Sequence, residues 1–442
     1  MYPMRQLVLF CATIVATTQV LADATAFVNV YVLPMTSDVV LQAQTVVVED
    51  GVITAIGNVD VVPVPENAKI VDGTDRYLMP GLTEMHGHVT GTGDAQIKRL
   101  FSLFLANGVT TVRGMLGRPS HLQLRDNIAA GKIFGPRLIT SGPSFNGNSV
   151  SGAEQGALMV REQHAAGYDF LKIHPGLSKT EFEVIADTAN EVGIPFSGHV
   201  PVAAGIDGAL GKGMASIDHL DGYMASLLPP NSDTSGGYGG FFDVMLADQV
   251  IEDRIADVVA ATLAAGVANV PTESLFEQVV NDVSPTDLGN RPEMRYVPEA
   301  TVRQWERAKE TTLGERGFSP EVAARAIEIR RSLILALHEA GAELLLGSDA
   351  PQIFNVPGFS LHHELEFMVL SGLTPFEALQ AGTIAPARFF GIETGVVAVG
   401  RIADLVLLDA NPLEDIANSR RVHGVLAAGR WSTVEDLLAS FE

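Results

Sequence analysis

The sequence predicts an α/β protein: a parallel (β/α)8 TIM barrel with a small β-sandwich built from both chain ends. Three observations predict it. In residues 78–391, short apolar runs alternate with helical patterns, and eight of those runs read as strands. Residues 25–77 and 392–442 carry strand and turn signals instead. Finally, five imidazole or carboxylate side chains and one lysine fall at or near the ends of barrel strands: His86, His88, Lys172, His199, His219 and Asp349. Ligands gathered at strand carboxyl ends are how a barrel builds a metal site.

Residues 1–22 read as a signal peptide. Arg5 precedes a mostly apolar run from Leu7 to Ala16, and small residues follow at Ala22 and Ala24. The run is short and interrupted by Thr13, Thr17, Thr18 and Gln19, which argues against a spanning anchor. This predicts an exported protein, periplasmic or secreted. Cys11, the single cysteine, lies in the signal, so the mature chain would have neither disulfides nor thiolate chemistry. Any metal must then rest on His, Asp, Glu or a modified Lys.

The 442 residues suit a large barrel plus a smaller unit, and 47% hydrophobic content suits a large core. Formal charge is −23, with 52 acids against 29 bases; without Arg5 it becomes −24. Such a surface repels nucleic acid and anionic membranes. Neither partner is expected for the mature form. A homo-oligomer is compatible with the sequence, which does not specify one.

The sandwich begins in residues 23–77. Two β-branched runs flank Asp50-Gly51, a hairpin signature. Its second part, 392–442, holds the run Gly400–Asp409 and a strand and turn over Val422–Arg430. Barrel strands are expected at the run into His86, then at Thr110–Met115, Arg137–Ser141, Asp169–His174, Ile194–Val200, Ala215–Leu220, Val267–Thr272 and Glu343–Asp349. One helix places Phe182, Ile185, Ala186, Ala189 and Val192 on one face, behind a Ser178/Glu181 capping box. Thr374 and Glu377 form another box, with Pro375 suited to the first turn. The long connections Ser226–Phe242 and Asn281–Gln304 are expected on the catalytic side.

His86 and His88 are two apart in a strand, so both imidazoles face one side. Lys172 sits in an apolar strand. It either snorkels to solvent or carries a carbamate formed with CO2. An ammonium would be repelled by two cations, whereas a carbamate offers two bridging oxygens, and the other ligands favour the carbamate. His199 and His219 end consecutive strands. Asp349, in Leu-Gly-Ser-Asp, is either a turn residue or a ligand that accepts a proton from water. His174 is a candidate for the mouth. His362 and His363 read as structural, and His121, His164, His338 and His423 as surface residues.

These motifs resemble the amidohydrolase superfamily, in its imidazolonepropionase-like and prolidase-like branch. The resemblance spans nearly the whole mature chain, including Met-Pro-Gly-Leu-Thr-Glu-Met-His-Gly-His, Phe-Leu-Lys-Ile, Gly-His-Val-Pro, Ile-Asp-His-Leu and Gly-Arg-Ile-Ala-Asp-Leu-Val-Leu-Leu-Asp. It implies two divalent metal ions, zinc foremost. His86, His88 and Asp349 would hold the more buried ion, His199 and His219 the more exposed one, and the Lys172 carbamate would bridge them. Tyr223 matches a tyrosine that in relatives reaches the substrate carbonyl; a packed loop tyrosine is the alternative. Relatives often carry Arg-Asp where this chain has Arg113-Gly114, and Gly-Gly-His-Gly where it has Phe145-Asn146-Gly147-Asn148.

The resemblance implies hydrolysis of a small-molecule amide by a metal-activated hydroxide, with Asp349 as the proton carrier and Tyr223 assisting. The leading substrate is a dipeptide or N-acyl amino acid, whose carboxylate would need Arg113, Arg291 or Arg295. The alternative is a xenobiotic amide, carbamate or arylurea, its bulk meeting Phe241 and Phe242. A mononuclear reaction would not need Lys172. An inactive binding protein is disfavoured because no ligand is missing.

Overall fold

The structure is a computed structural model that describes residues 24–230, 232 and 239–441. The signal peptide expected at residues 1–22 lies outside that range. Among the described residues, no helix is long and apolar enough to cross a membrane.

Both chain ends enter one eight-stranded mixed sheet. Its strands are β1 (Ala24–Val32), β2 (Leu41–Glu49), β3 (Val52–Asn58), β4 (Lys69–Asp72) and β5 (Tyr77–Pro80) from the N-terminal side. Three more come from the far end of the chain. The hairpin joining β2 and β3 turns at Asp50 (φ 51°) and Gly51 (φ 76°), both in the left-handed region that the Asp-Gly pair favours.

The middle of the chain supplies β6 (Leu82–Gly87), β7 (Val109–Gly114), β8 (Arg137–Thr140), β9 (Leu171–Ile173), β10 (Phe196–Gly198), β11 (Ser216–Asp218) and β12 (Ala268–Val270), with helices between them. They form two parallel sheets, β6-β7-β8 and β9-β10-β11-β12. Parallel bridges link the sheets: Ser141 to Phe170 on one seam, and Asn269 to Leu344 and Gly87 to Ala350 on the other. Each strand expected in this region is present, most of them shortened and β7 shifted by one residue, except the last. Residues 343–349 make bridges rather than a regular strand. There the Leu346 N–H turns away to the Ala381 carbonyl, although Met85 N–H still bonds Leu346 O and Asp349 N–H bonds His86 O.

The sheet's remaining strands are β13 (Leu405–Leu408), β14 (Val422–Ala427) and β15 (Arg430–Thr433). β13 pairs antiparallel with β5, Leu405 opposite Pro80. The sheet folds back on itself, because Phe27 of β1 meets Trp431 of β15 edge-on with ring centroids 5.2 Å apart. A separate apolar cluster fills that fold, drawing Val30, Val46 and Ile53 from one end of the chain and Leu405, Leu426 and Trp431 from the other.

Both expected capping boxes are present, at Ser178/Glu181 and Thr374/Glu377. Phe182, Ile185, Ala186 and Ala189 are buried and Val192 packs at the margin. A cleft of about 1160 Å3 lies between the sheet and the beginnings of β7 and β8, lined by Thr110, Arg137, Asp404 and Arg430. It is remote from the strand ends that carry the histidines.

Candidate metal centre

Strand ends deliver the cluster. His86 lies in β6 with His88 just past it, and their rings stack at 5.5 Å. Lys172 is central in β9, and His199 and His219 directly follow β10 and β11. Two glycines make room. A Cβ on Gly198 (φ 124°) would fall 2.8 Å from Lys172 Cδ, and one on Gly347 would fall 2.8 Å from the His86 backbone nitrogen. His219 (φ 65°) and Asp349 (φ 63°) both adopt the left-handed region. Such residues cost about 1–3 kcal/mol each and concentrate where a site dictates the backbone.

The ligand-type atoms converge. His88 Nε2 is 2.7 Å from Asp349 Oδ1, and His86 Nε2 is 3.5 Å from the same oxygen. His219 Nδ1 is 3.9 Å from Asp349 Oδ2. The His219 ring lies 4.5 Å from those of both His86 and His199. His86, His219 and Asp349 form a buried group able to hold a metal ion. His88 and His199 are more open, with side chains 12% and 14% exposed.

Two imidazoles, His199 and His219, are hydrogen-bonded through Nδ1, and His86 faces a carboxylate there. His86 Nδ1 is 2.8 Å from Asp218 Oδ2, His199 Nδ1 is 2.6 Å from Asp221 Oδ2, and His219 Nδ1 is 2.9 Å from Thr272 Oγ1. Orientation through one ring nitrogen leaves the other for a metal. Burial, then the neighbouring Lys172 charge, holds His86 well below the ordinary imidazole range. Both effects favour neutral imidazole, the form that binds metal.

The donor set fits a divalent cation. His88 Nε2, His219 Nε2 and Asp349 Oδ1 are buried without a hydrogen bond. Buried polar atoms normally have partners, and leaving them bare is costly. Lys172 is fully buried, and its Nζ lies 3.5 Å from His86 Nε2. Burial pushes this amine down to about 8.

Glu84 reaches across the seam between β6 and residues 343–350. It accepts from the N–H groups of His86 and Ser348 at 2.9 and 2.8 Å, and from Ser348 Oγ at 2.5 Å. Burial raises its carboxyl to about 7.

Several expected substrate contacts are elsewhere. Arg113 is buried inside the parallel sheets: Nε donates to Met85 O at 2.5 Å, and its other nitrogens donate to Ser216 Oγ and the Asp218 carboxylate. A guanidinium consumed this way does not meet a substrate carboxylate. Arg291 donates to Gln278 Oε1. Arg295 lies exposed against the Tyr296 ring, 4.7 Å from its centroid. Neither contacts the cluster. Tyr223 is a core residue rather than a carbonyl ligand, its hydroxyl 2.9 Å from Thr262 Oγ1 and 2.8 Å from Asn269 Oδ1. Burial raises that phenol. His121, read as a surface residue, is buried, which pushes it down to about 4.

Others are at the cluster. Phe242 stacks on His219, centroids 4.8 Å apart, and more distantly on His199 at 6.3 Å. Phe241 contacts Phe242 at 4.6 Å and Phe276 at 6.5 Å. The His174 ring lies 5.1 Å from His199. Burial, then the Lys172 and His199 charges, push His174 down to about 2. Asp218, Asp221, Glu84 and Thr272 escaped the sequence reading. The available signal was a carboxylate within two residues of a ligand histidine, at Glu84, Asp218 and Asp221.

Comparison with known proteins agrees with this geometry. The amidohydrolase family profile matches residues 77–432, and the chain belongs to that family. It is a hydrolase acting on carbon–nitrogen bonds. An enamidase of Eubacterium barkeri is 26% identical over 395 residues, covering 88% of this chain and 86% of the enamidase. An ochratoxinase of Aspergillus niger is 24% identical over 409 residues, covering 85% and 79%. The structure of a Xaa-Pro dipeptidase with bound methionine superposes with a TM-score of 0.68 at 18% identity, covering 93% of this chain and all of the other.

Proposed function

We propose that this protein is a binuclear metal-dependent hydrolase that cleaves an amide bond bearing an aromatic or apolar group beside the metals. One observation carries the hydrolytic reading: His88 Nε2, His219 Nε2 and Asp349 Oδ1 are bare, buried and close together. The bridged ring of eight parallel segments supports a (β/α)8 barrel with the cluster at its strand ends. Two divalent cations would be held by His86, His88, His199, His219, Asp349 and a Lys172 carbamate. Bound there, they would supply an activated water and polarise the carbonyl.

The chain's own residues do the rest. Asp218 and Asp221 hold His86 and His199 so that each offers Nε2. Lys172 is fully buried and its amine is pushed down to about 8, which suits conversion to a carbamate. Asp349 takes the proton of the attacking water on a carboxylate oxygen and passes it to the leaving nitrogen.

For the substrate, Phe242 supports an aromatic or apolar group, because its ring already covers His219 and His199. Relatives named as an enamidase, an ochratoxinase and a Xaa-Pro dipeptidase support an amide substrate and leave the neighbouring group to Phe242. With Arg113 consumed in the core and Arg291 and Arg295 elsewhere, recognition of a free carboxylate loses its three candidate cations. Neutral aryl amides and carbamates therefore rank above N-acyl amino acids and dipeptides, both of which carry a free carboxylate.

The test is hydrolysis of an amide panel by purified protein of known metal content. It should include N-acyl aromatic amino acids, aryl carbamates, Xaa-Pro and Xaa-Arg dipeptides. Turnover of the aromatic members, lost in a chelator and restored by zinc or manganese, is expected. Two bound metals with no turnover would instead support a binding protein on this scaffold.

A further inference from the structure

His174 presents one ring nitrogen to a fixed network and leaves the other uncommitted. Its Nδ1 is 2.9 Å from Ser144 Oγ. Ser144 Oγ in turn accepts from Asn146 Nδ2 at 3.1 Å. Asn146 cannot be turned over, because its Oδ1 accepts the N–H groups of Asn148 at 2.8 Å and Ser149 at 3.0 Å. Among the described residues Ser144 Oγ donates to no other group. With Asn146 donating to Ser144 Oγ, the serine proton is left for His174 Nδ1 as acceptor, and we take that arrangement. A neutral imidazole accepting at Nδ1 carries its proton on Nε2.

Position gives this N–H a use. His174 is two residues past Lys172, so alternation turns both side chains to the same face. Its ring lies 5.1 Å from that of His199, a ligand assigned to the more open metal. The loop carrying Ser144 and Asn146 is tied to this strand by Phe145 N–H to Lys172 O at 2.9 Å and His174 N–H to Phe145 O at 2.8 Å. The tyrosine expected to reach the carbonyl, Tyr223, spends its hydroxyl on Thr262 and Asn269. With Tyr223 committed to the core, the ring of His174 beside His199 is a donor within the cluster.

The geometry points to His174 as a catalytic oxyanion donor: its Nε2–H bonds the substrate carbonyl oxygen as that oxygen gains charge, and the proton stays on Nε2 throughout. This rests on the amide-hydrolase reading above. Ser144 and Asn146 are positioning residues that hold the tautomer.

The experiment compares wild type, His174→Phe, His174→Gln and Ser144→Ala on the best substrate of the panel, with kcat, KM and metal content for each. Loss of one preorganised donor typically costs about 10²–10³ in kcat. His174→Phe should lose about that much in kcat and kcat/KM together, with KM and metal content near wild type. His174→Gln should recover part of the rate, since its amide can donate. Ser144→Ala should fall between. Nitrogen-15 spectra of histidine-labelled wild type should show His174 protonated at Nε2. Full kcat in His174→Phe, a change in KM alone, a loss explained by missing metal, or a proton on Nδ1 would each overturn the assignment. A wild type that turns over no amide brings down the hydrolase reading and this role with it. An active wild type with an equally active His174→Phe brings down only the role.

Discussion

Asp218 Oδ2 stands 2.8 Å from His86 Nδ1, while its Oδ1 is held 3.1 Å from the Arg113 guanidinium. All three side chains are buried. A carboxylate this close to Nδ1 favours a proton there, which would leave Nε2 for metal. Loss of such an outer partner typically weakens metal binding about 10–100-fold. Asp218→Asn should weaken binding to that extent in competition with a chromophoric chelator. Wild-type affinity in the variant would show that packing alone orients His86.

Arg113→Met tests the other half of this chain. It leaves Asp218 as a buried, uncompensated charge, which costs about 3–5 kcal/mol when one partner of such a pair is removed. Urea denaturation should show a loss of that size. KM of the surviving folded enzyme should be unchanged. A selective rise in KM for carboxylate-bearing substrates would return Arg113 to substrate recognition.

Lys172 as a carbamate makes activation depend on dissolved CO2. Apoprotein reconstituted with metal in degassed, bicarbonate-free buffer should regain little activity, and added bicarbonate should restore it. Lys172→Ala should bind about one metal fewer and recover part of its rate with a short carboxylic acid. Equal reconstitution with and without bicarbonate counts against the modification.

Phe242→Ala removes the ring that covers His219 and His199. Apolar contacts in a pocket discriminate by about 1–3 kcal/mol, or roughly 10–200-fold. The variant should lose kcat/KM in that range for aryl amides while small aliphatic amides change little. A uniform loss across both sets would mean that the ring shapes the metal site rather than the substrate.

Glu364 supplies a pH-dependent stability term away from the ligands. Burial, then the Glu273 charge, raises its carboxyl to about 8, and its Oε2 accepts from Ser274 N–H at 2.6 Å. The folded state therefore keeps a proton that the unfolded chain releases near the ordinary carboxylate range. Stability from this group is full below that range and falls as pH rises toward about 8. Glu364→Gln, which imitates the protonated form, should melt progressively higher than wild type as pH goes from about 5 to 8. Parallel melting curves across that range would remove Glu364 as the cause.

What could be read from sequence was what is local. The Asp50-Gly51 turn and the Ser178 and Thr374 caps follow from chemistry within a few residues. The convergence of His86, His88, His219 and Asp349 could be read because each stands at or near the end of an apolar run. What could not be read depends on distant partners. Arg113 looked available because Asp218 is 105 positions away, and Tyr223 because Thr262 and Asn269 come later in the chain. In the last, irregular parallel segment one N–H is drawn to Ala381, a contact no periodicity encodes. The His174 tautomer likewise needs Ser144 and Asn146 from another loop.

The pairing of Leu405 with Pro80 sets an order on synthesis. More than three hundred residues separate the two strands, so β5 emerges from the ribosome with one edge bare. At about 5–20 residues per second, it waits roughly 15–65 s for β13. Throughout that interval a nascent chain exposes an apolar strand edge, open to mispairing with other nascent copies or to capture by a chaperone. The strands made last, β13 to β15, therefore determine when that edge is covered.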